Sequence, residues 1–458
     1  MEINKVHNVY FIGIGGIGMS ALARYFKMLG KEVAGYDKTP SKITSELEDL
    51  DVAIHFEDDV NLISDSFLDK ENTLVVYTPA VPASHSELCY FIENAFGVYK
   101  RSEVLGFITK DTFCMAIAGT HGKTTTSTIL GHLLAETDLK MTAFLGGIAE
   151  NYNSNLILKG NDISVVEADE FDRSFLRLFP DSACITSMDA DHLDIYGNAE
   201  SLQDSFKEFA NKIVNGGVLF LRYGLDFPIG NPGHIQILTY GLEDKSDYQA
   251  LNIRVDNGSY VFDIKTPEET FSNFKLSLPG RHNLLNALAA FSMSYHYGVD
   301  VEILKKGLKN FKGIYRRFSY QVNRKERVFI DDYAHHPTEI NAAHQAVREM
   351  YPDEKVLAIF QPHLFSRTKD FADDFAVSLS KFDELLLLDI YPAREEPIPG
   401  ITSSWLLSKI KNQRKQLIPK SWLINEVMSS DARIVMTLGA GDIGVEVPKI
   451  KEAILNEV

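Results

Sequence analysis

Cysteine is scarce in this 458-residue chain, which contains only Cys89, Cys114 and Cys184. The three thiols are far apart in sequence and form no CxxC pair, so a structural zinc site is not indicated. An odd number of cysteines also argues against the framework of paired disulfides that is typical of small secreted domains. A reducing compartment fits this composition, and the predicted location is the cytoplasm.

Long apolar runs and basic residues are also in short supply. No stretch approaches the ~18 apolar residues that a membrane span requires. The apolar stretch Val9–Ala23 carries four glycines, which suit a strand and turn better than a signal peptide. Acidic residues outnumber basic ones by 63 to 46, giving a formal charge of −17. This balance argues against general binding to nucleic acid or to a membrane surface, because both require a broad positive field.

Short β-branched runs alternate with helical patterns along almost the whole chain, which is typical of parallel α/β domains. The chain is too long for one ordinary core, and we predict three domains at residues 1–110, 111–313 and 314–458. Two runs in the second domain, Gly217–Arg222 and Tyr260–Ile264, have turn-rich surroundings that favour antiparallel strands.

Chemically capable residues follow the predicted strands at the point where each strand ends. They occur in Gly13–Gly18, in Gly119–Thr125, at Glu167, in Asp332–His336 and at His363. Ligands of open parallel sheets bind beyond the carboxyl ends of the strands. We therefore predict that the sheets direct these edges toward a shared cleft.

Residues 118–125 read Ala-Gly-Thr-His-Gly-Lys-Thr-Thr and predict a phosphate loop between a strand and a helix. Glycines let backbone N–H groups converge on one anion, Lys123 can reach the β/γ-phosphates and Thr124 can hold Mg²⁺. The spacing is shorter than the full phosphate-loop pattern because Ile117 occupies its first glycine position. The predicted ATP or GTP contacts are Gly119, Thr120, His121, Gly122, Lys123, Thr124 and Thr125.

A second glycine-rich turn, Gly13–Gly18, matches G-x-G-x-x-G and is followed by Asp37 after the next predicted strand. This arrangement predicts a diphosphate on a helix N-terminus and a carboxylate near a ribose or base. A dinucleotide and a nucleotide-sugar diphosphate satisfy it equally, and a structural tight turn stays open as a third interpretation.

Two acidic segments complete the predicted metal chemistry. Residues 167–172 place four carboxylates after a buried strand. An acidic loop is usually only solvated, but opposite a phosphate loop a strand-end carboxylate such as Glu167 is where an NTPase holds magnesium. His192, within the run Asp189–Asp194, is a candidate ligand of a second metal ion. A lone histidine is more often a structural hydrogen bonder.

The remaining candidates lie in the last third of the chain. A predicted helix start at residues 279–286 carries polar groups suited to a nucleotide, and Arg316 and Arg317 lie at the predicted hinge. The segments Asp331–Pro337 and Gln361–Arg367 supply bases and cations. Taken singly, each histidine in them is also readily explained as a cap or core residue.

Nine segments taken together resemble the Mur ligases of bacterial peptidoglycan synthesis. In chain order they are GIGGIGMSALARY, AGTHGKTTT, EADEFDRSFL, DADHLDIYG, PGRHNLLNALAA, DDYAHHPTEI, FQPHLFSRT, YPAREEPIPG and LGAGDIG. The resemblance implies an α/β fold of three domains: Rossmann-like for the UDP-sugar, P-loop ATPase-like in the centre, and Rossmann-like for the amino acid. It also implies ATP and Mg²⁺ as cofactors. The acidic charge balance predicts no nucleic-acid or membrane partner, while a monomer and a homodimer both remain open.

The implied reaction joins L-alanine to UDP-N-acetylmuramate. ATP phosphorylates the lactyl carboxylate, and the alanine amine attacks the acyl phosphate to give an amide, ADP and phosphate. Lys123 would neutralise the moving phosphoryl group. Thr124 and Glu167 would hold one magnesium ion, and His192 would hold the other.

The resemblance also assigns the remaining site residues. The ADP contacts would be Asn283, Arg317 and Asp332. His335 would act as base or orienting group for the amine, and Arg367 would hold the alanine carboxylate. Contacts to the substrates would come from Gly15, Gly16, Ile17, Gly18, Asp37, Thr78, Tyr333 and His363. Leu364 stands where the family often has a second arginine, which leaves the choice among L-alanine, glycine and L-serine open.

Three alternative functions are distinguishable by experiment. A related recycling ligase would attach a preformed tripeptide to the same sugar nucleotide. A nicotinamide-dependent dehydrogenase would use only the Gly13–Gly18 turn and leaves the phosphate loop without a role. A non-catalytic switch would hydrolyse ATP without needing both substrates.

Overall fold

The computed structural model describes residues 6–189, 199–225, 227, 233–243, 245–256, 259–393 and 395–456. Its strands form three sheets, and helices alternate with strands along the chain. In the part of the chain that is described, no helix is long and apolar enough to cross a membrane.

The first sheet has five parallel strands in the order β3-β2-β1-β4-β5. Its strands are β1 Asn8–Ile12, β2 Glu32–Tyr36, β3 Ala53–His55, β4 Thr73–Tyr77 and β5 Gly97–Lys100, and its helices are α1 Ile17–Met28, α2 Lys42–Glu48, α3 Ser86–Glu93 and α4 Arg101–Thr109. Val9 and Phe11 enter one buried cluster while Tyr10 and Ile12 enter another. Successive side chains of a strand point to opposite faces, so both faces of this sheet are covered.

The second sheet has ten strands in the order β15-β14-β13-β12-β11-β10-β6-β9-β7-β8. They are β6 Phe113–Ala118, β7 Met141–Ala149, β8 Ser154–Leu158, β9 Ile163–Glu167, β10 Ser182–Ile185, β11 Val218–Arg222, β12 Gln236–Gly241, β13 Tyr248–Asp256, β14 Ser259–Lys265 and β15 Thr270–Leu276. The accompanying helices are α5 Lys123–Ala135, α6 Ala199–Ala210, α7 Arg281–Tyr297 and α8 Val301–Asn310.

The prediction that Gly217–Arg222 is antiparallel is wrong. β11 pairs in parallel with β10 on one side and with β12 on the other. α6, between β10 and β11, brings the chain back across the sheet, as a parallel pair requires. Turn residues around a strand report where it ends and carry no information about the direction of its neighbour.

Helix α1 packs on the β7–β8 hairpin of the second sheet. Asn155, almost fully buried on β8, donates its side-chain N–H to the carbonyl oxygen of Ile17 at 2.6 Å and contacts Ser20 Oγ at 2.9 Å. The rings of Tyr25 and Phe144 meet edge to face with centroids 5.2 Å apart. The helix that follows the glycine-rich turn is therefore fastened to the central sheet.

The third sheet has six strands in the order β16-β17-β21-β18-β19-β20, parallel except for the β16–β17 pair. Its strands are β16 Ser319–Asn323, β17 Val328–Asp332, β18 Val356–Phe360, β19 Glu384–Leu387, β20 Lys415–Leu417 and β21 Ile434–Leu438. Its helices are α9 Pro337–Met350, α10 Phe365–Asp370, α11 Ala372–Leu379, α12 Ser403–Lys409, α13 Leu423–Ser429 and α14 Ile443–Leu455.

The chain divides into two compact units. The first comprises residues 1–253, 262–275 and 285–311, and the second comprises 254–261, 276–284 and 312–458. The N-terminal sheet and the parallel core of the central sheet thus share one unit. The α/β class is confirmed, whereas the domain boundaries at residues 110 and 313 stay predictions.

Candidate active site

The predicted phosphate loop connects β6 to α5. Gly119 and Gly122 have φ angles of 129° and 87°, in the region that favours glycine. A Cβ atom on Gly119 would lie 2.2 Å from Thr186 Oγ1, and one on Gly122 would lie 2.6 Å from Asn286 Oδ1. Both glycines are therefore required by backbone conformation and by the closeness of their neighbours.

The residues that follow β10 hold this loop in place. Ser187 Oγ accepts the His121 N–H at 2.7 Å and lies 3.0 Å from Thr120 Oγ1. Thr120 Oγ1 in turn accepts the Asp189 N–H at 3.0 Å. The loop is thus ordered by the protein itself. Ser187 was not among the predicted residues, because a hydroxyl after a strand belongs to no recognisable motif.

Lys123 is held by Glu170, a carboxylate to which no sequence motif assigns a role. Its Nζ donates to the two carboxylate oxygens of Glu170 at 2.8 and 2.7 Å and to the Gly119 carbonyl oxygen at 2.6 Å. The Glu170 side chain is fully buried. Burial lowers the pKa of Lys123, but Glu170 outweighs it with help from Asp169 and Glu167, so the net pKa is raised. The ammonium group therefore stays charged.

Thr124 and Glu167 lie together as predicted for a magnesium site. The Thr124 hydroxyl donates to Glu167 Oε1 at 2.8 Å. Hydroxyl and carboxylate oxygens are ligands that magnesium prefers, with phosphate oxygens and water completing its shell. Gly146 leaves room beside this carboxylate, since a Cβ there would lie 1.8 Å from Glu167 Oε2. The pair therefore fits a magnesium ion bound together with a triphosphate.

The second predicted metal ligand, His192, lies outside the described residues, so its role stays a prediction. Within the residues that are described, no group of three or more His, Cys, Asp or Glu side chains forms a ready-made metal cage.

A cavity of about 690 Å³ lies at the carboxyl edge of the first sheet and reaches the acidic end of β9. Six predicted substrate contacts line it, namely Gly15, Gly16, Ile17, Gly18, Asp37 and Thr78. Glu167 and Asp169 line the same cavity from the central sheet. The glycine-rich turn and Glu167 therefore face one space within the first compact unit.

Asp37 orders the glycine-rich turn. Its Oδ2 accepts the Gly15 N–H at 2.7 Å, and its Oδ1 accepts the Thr39 N–H at 3.2 Å. Each oxygen keeps a further lone pair for a ligand hydroxyl. Asp37, the predicted contact to a ribose or base, thus also fixes the conformation of the glycine-rich turn that precedes it in the chain.

The second unit brings its predicted residues together after β17. Arg316 and Arg317 lie over the ring of Tyr333, with guanidinium-to-centroid distances of 5.2 and 5.3 Å. Asp332 accepts N–H bonds from Phe318 and Ala334, both at 2.7 Å. Burial raises the pKa of Asp332 to about 6, against the opposing effect of Arg317.

His335 has the environment of a neutral histidine. Its Nδ1 lies 3.0 Å from the Tyr333 carbonyl oxygen and 3.3 Å from Glu339 Oε2. Burial lowers its pKa, Glu339 opposes this and the nearby Arg367 lowers it further. A neutral imidazole can accept a proton at neutral pH, which suits a base.

Three further residues of this unit that the sequence pointed to are His363, Asn283 and Leu364. The His363 ring is stacked against Tyr391 with a centroid distance of 5.7 Å. Asn283 is buried in the first turn of α7 and donates to the Pro279 carbonyl oxygen at 2.6 Å. Leu364 precedes α10 with a φ angle of 70°, an uncommon conformation for a leucine.

A buried ion pair fixes the β17 edge and gives a stability prediction. Asp331 is fully buried, lies 3.1 Å from Arg316 Nε and accepts the Thr437 hydroxyl at 2.7 Å. Replacing it with alanine leaves the arginine charge without its partner, so Asp331→Ala should lower the free energy of unfolding by about 3–5 kcal/mol. Denaturant unfolding measures this, with Asp373→Ala as control because the Asp373 side chain is 88% exposed. Equal losses in the two variants would contradict the prediction.

Family models match three consecutive parts of the chain. The models are described as "Mur ligase family, catalytic domain" for residues 8–112, "Mur ligase middle domain" for 117–294 and "Mur ligase, glutamate ligase domain" for 316–443. Together they cover most of the sequence. The chain belongs to the Mur ligase family.

Curated members of the Mur ligase family match over the full length. The chain is 61% identical over 452 residues to the UDP-N-acetylmuramate–L-alanine ligase of Flavobacterium psychrophilum, covering 99% of each protein. It is 58% identical over 457 residues to the ligase of the same name from Flavobacterium johnsoniae, covering 100% of each.

Solved structures confirm the three-domain α/β fold of a Mur ligase. The crystal structure of the UDP-N-acetylmuramate–alanine ligase of Thermotoga maritima matches with a TM-score of 0.83 and 27% identity, over 98% of this chain and 100% of that one. A murein peptide ligase from Psychrobacter arcticus matches with a TM-score of 0.70 and 22% identity, over 99% of both chains. The second match bears on the fold alone.

Proposed function

We propose that this Mur ligase joins L-alanine to the lactyl carboxylate of UDP-N-acetylmuramate, using ATP and Mg²⁺, in peptidoglycan precursor synthesis. One observation carries the proposal: Glu167 contacts the phosphate-loop Thr124 and also lines the cavity of the glycine-rich turn. A phosphoryl donor and a sugar-nucleotide acceptor would therefore meet at this carboxylate.

The residues of the first unit suit phosphoryl transfer. ATP supplies the phosphoryl group that turns the lactyl carboxylate into an acyl phosphate, and magnesium neutralises charge as two anions approach. Lys123 is charged and would exchange Glu170 for phosphate oxygens. Thr124 and Glu167 would hold the metal, and the Gly15–Gly18 turn would hold the diphosphate at the N-terminus of α1.

The second unit would supply the amine side of the reaction. His335, kept neutral by burial, would accept a proton from the alanine ammonium or orient the amine. Arg367 would bind the alanine carboxylate, with Tyr333 and His363 close to the substrates. Asn283, Arg317 and Asp332 would contact ADP.

A phosphate-release assay tests the proposed reaction. With UDP-N-acetylmuramate and ATP present, we expect release to depend on L-alanine and to stop when EDTA removes magnesium. Glycine, L-serine and the tripeptide of the recycling ligase complete the panel, because Leu364 leaves the amino-acid choice open. Release that prefers the tripeptide, or that needs no amino acid, would overturn the proposal. A change in NAD(P)H absorbance would indicate the dehydrogenase instead.

The cytoplasm remains the proposed location. The proposed domain boundaries remain residues 1–110, 111–313 and 314–458. Either a monomer or a homodimer is compatible with the proposed reaction, because the phosphate loop and the cavity of the glycine-rich turn both lie in one unit of one chain.

A further inference from the structure

The cavity of the first unit contains an arginine that no motif pointed to. Arg101 begins α4, directly after β5, and lines the cavity beside the glycine-rich turn. It is partly buried, and within the part of the chain that the structure describes it forms no ion pair or side-chain hydrogen bond. The nearest acid of its own helix, Glu103, accepts the Lys100 N–H at 2.9 Å instead.

Arg101 lies against the third glycine of the turn. A Cβ atom on Gly18 would be 2.9 Å from Arg101 Nη1, 3.1 Å from its Cδ and 3.2 Å from its Cζ. Gly18 has an ordinary helical φ angle, so its backbone does not require glycine. What a side chain at this position would disturb is the guanidinium group.

A partly buried cation without a partner is costly unless an anion reaches it from solution. The surroundings of Arg101 favour an anion with several oxygen atoms, as in a phosphate group. Arg101 lies at the first turn of α1, where backbone N–H groups lack helical partners and the helix end is positive. Guanidinium groups bind phosphate through two parallel hydrogen bonds.

We infer that Arg101 binds the diphosphate of the sugar nucleotide and that Gly18 is glycine in order to admit the guanidinium group. The inference rests on the proposed function. It adds a residue that would recognise the diphosphate group of the substrate. The reacting carboxylate is the other anion of that substrate, and under the proposed function it would lie beside the magnesium ion that Thr124 and Glu167 would hold.

The test compares UDP with uridine as inhibitors competing with UDP-N-acetylmuramate. In the full-length enzyme, Arg101→Gln should weaken UDP binding about 10–100-fold, the range expected for lost hydrogen bonds to a charged group. Uridine, which has no phosphate, should lose less than about threefold. Lys27→Gln removes the same charge from the far end of α1 and should leave both inhibition constants unchanged.

Gly18→Ala provides a second variant on the same contact. It should displace the guanidinium group, and the double variant with Arg101→Gln should be no weaker for UDP than the worse single variant. Such non-additivity is the mark of two residues that act through one interaction. Melting temperature and binding of a non-hydrolysable ATP analogue verify that each variant is folded.

Three results would each contradict a specific part of the proposal. If Arg101→Gln leaves the affinity for UDP unchanged, the inference is overturned. This includes the case in which only turnover falls, because Arg101 would then act on the reacting carboxylate and not on the diphosphate. Additive losses overturn the role of Gly18. If the wild-type enzyme binds no UDP at all, the proposed function fails rather than this assignment.

Discussion

Lys123→Ala should lower the rate of L-alanine-dependent phosphate release by about 10³-fold, because a charge aimed at the transferred phosphoryl group is lost. The lysine lies at the start of α5 and is held 2.6 Å from the Gly119 carbonyl oxygen, so its position is set before ATP arrives. Initial rates at saturating ATP measure the effect. Lys207→Ala, on the exposed side of α6, is the matched control and should retain full activity.

Glu170 complicates this experiment, and a second variant resolves the difficulty. Lys123→Ala leaves a fully buried carboxylate without its cation, which is strongly destabilising in general. The double variant Lys123→Met with Glu170→Gln removes both charges and should fold. It should still lack turnover. A folded double variant with wild-type rates would show that the phosphate loop is wrongly assigned.

Glu167→Gln should reduce turnover by about 100-fold and raise the magnesium concentration needed for half-maximal activity by at least about tenfold. The amide keeps the size of the side chain and can still contact the Thr124 hydroxyl, but it removes the negative charge that a divalent cation requires. A magnesium titration of phosphate release provides the measurement.

Glu208→Gln is the control for that titration, since Glu208 pairs with Arg173 and is 48% exposed. It should behave as wild type. If Glu167→Gln showed the wild-type magnesium dependence, the metal would have to be held elsewhere. Glu167 would then no longer mark the place where ATP and the sugar nucleotide are proposed to meet.

The sequence predicted the strands well because their signal is local. Gly13–Gly18 and Gly119–Thr125 are each predicted to follow a strand, and they follow β1 at Asn8–Ile12 and β6 at Phe113–Ala118. Apolar, β-branched residues bounded by turns suffice to locate such strands. Pairing direction is set by distant chain segments, which is why Gly217–Arg222 was assigned the wrong orientation.

Candidate site residues could be predicted from the sequence wherever a motif carried them. Thr124 and Glu167 are 43 positions apart in sequence, yet the phosphate loop and the strand-end rule brought them into one hypothesis that their 2.8 Å contact fits. Glu170 and Arg101 were missed for the opposite reason. Their contacts depend on which group they face across the fold, and neighbouring residues in sequence do not encode that.

Asn155 has a consequence for how the two predicted phosphate-binding turns are spaced. It ties the first turn of α1 to the edge hairpin of the central sheet through Ile17 and Ser20. The distance between the Gly13–Gly18 turn and the Gly119–Thr125 loop is therefore established when the first unit folds and does not have to be set by a ligand. Asn155 itself is not among the predicted ligand contacts, yet it fixes the position of Ile17, which is one of them.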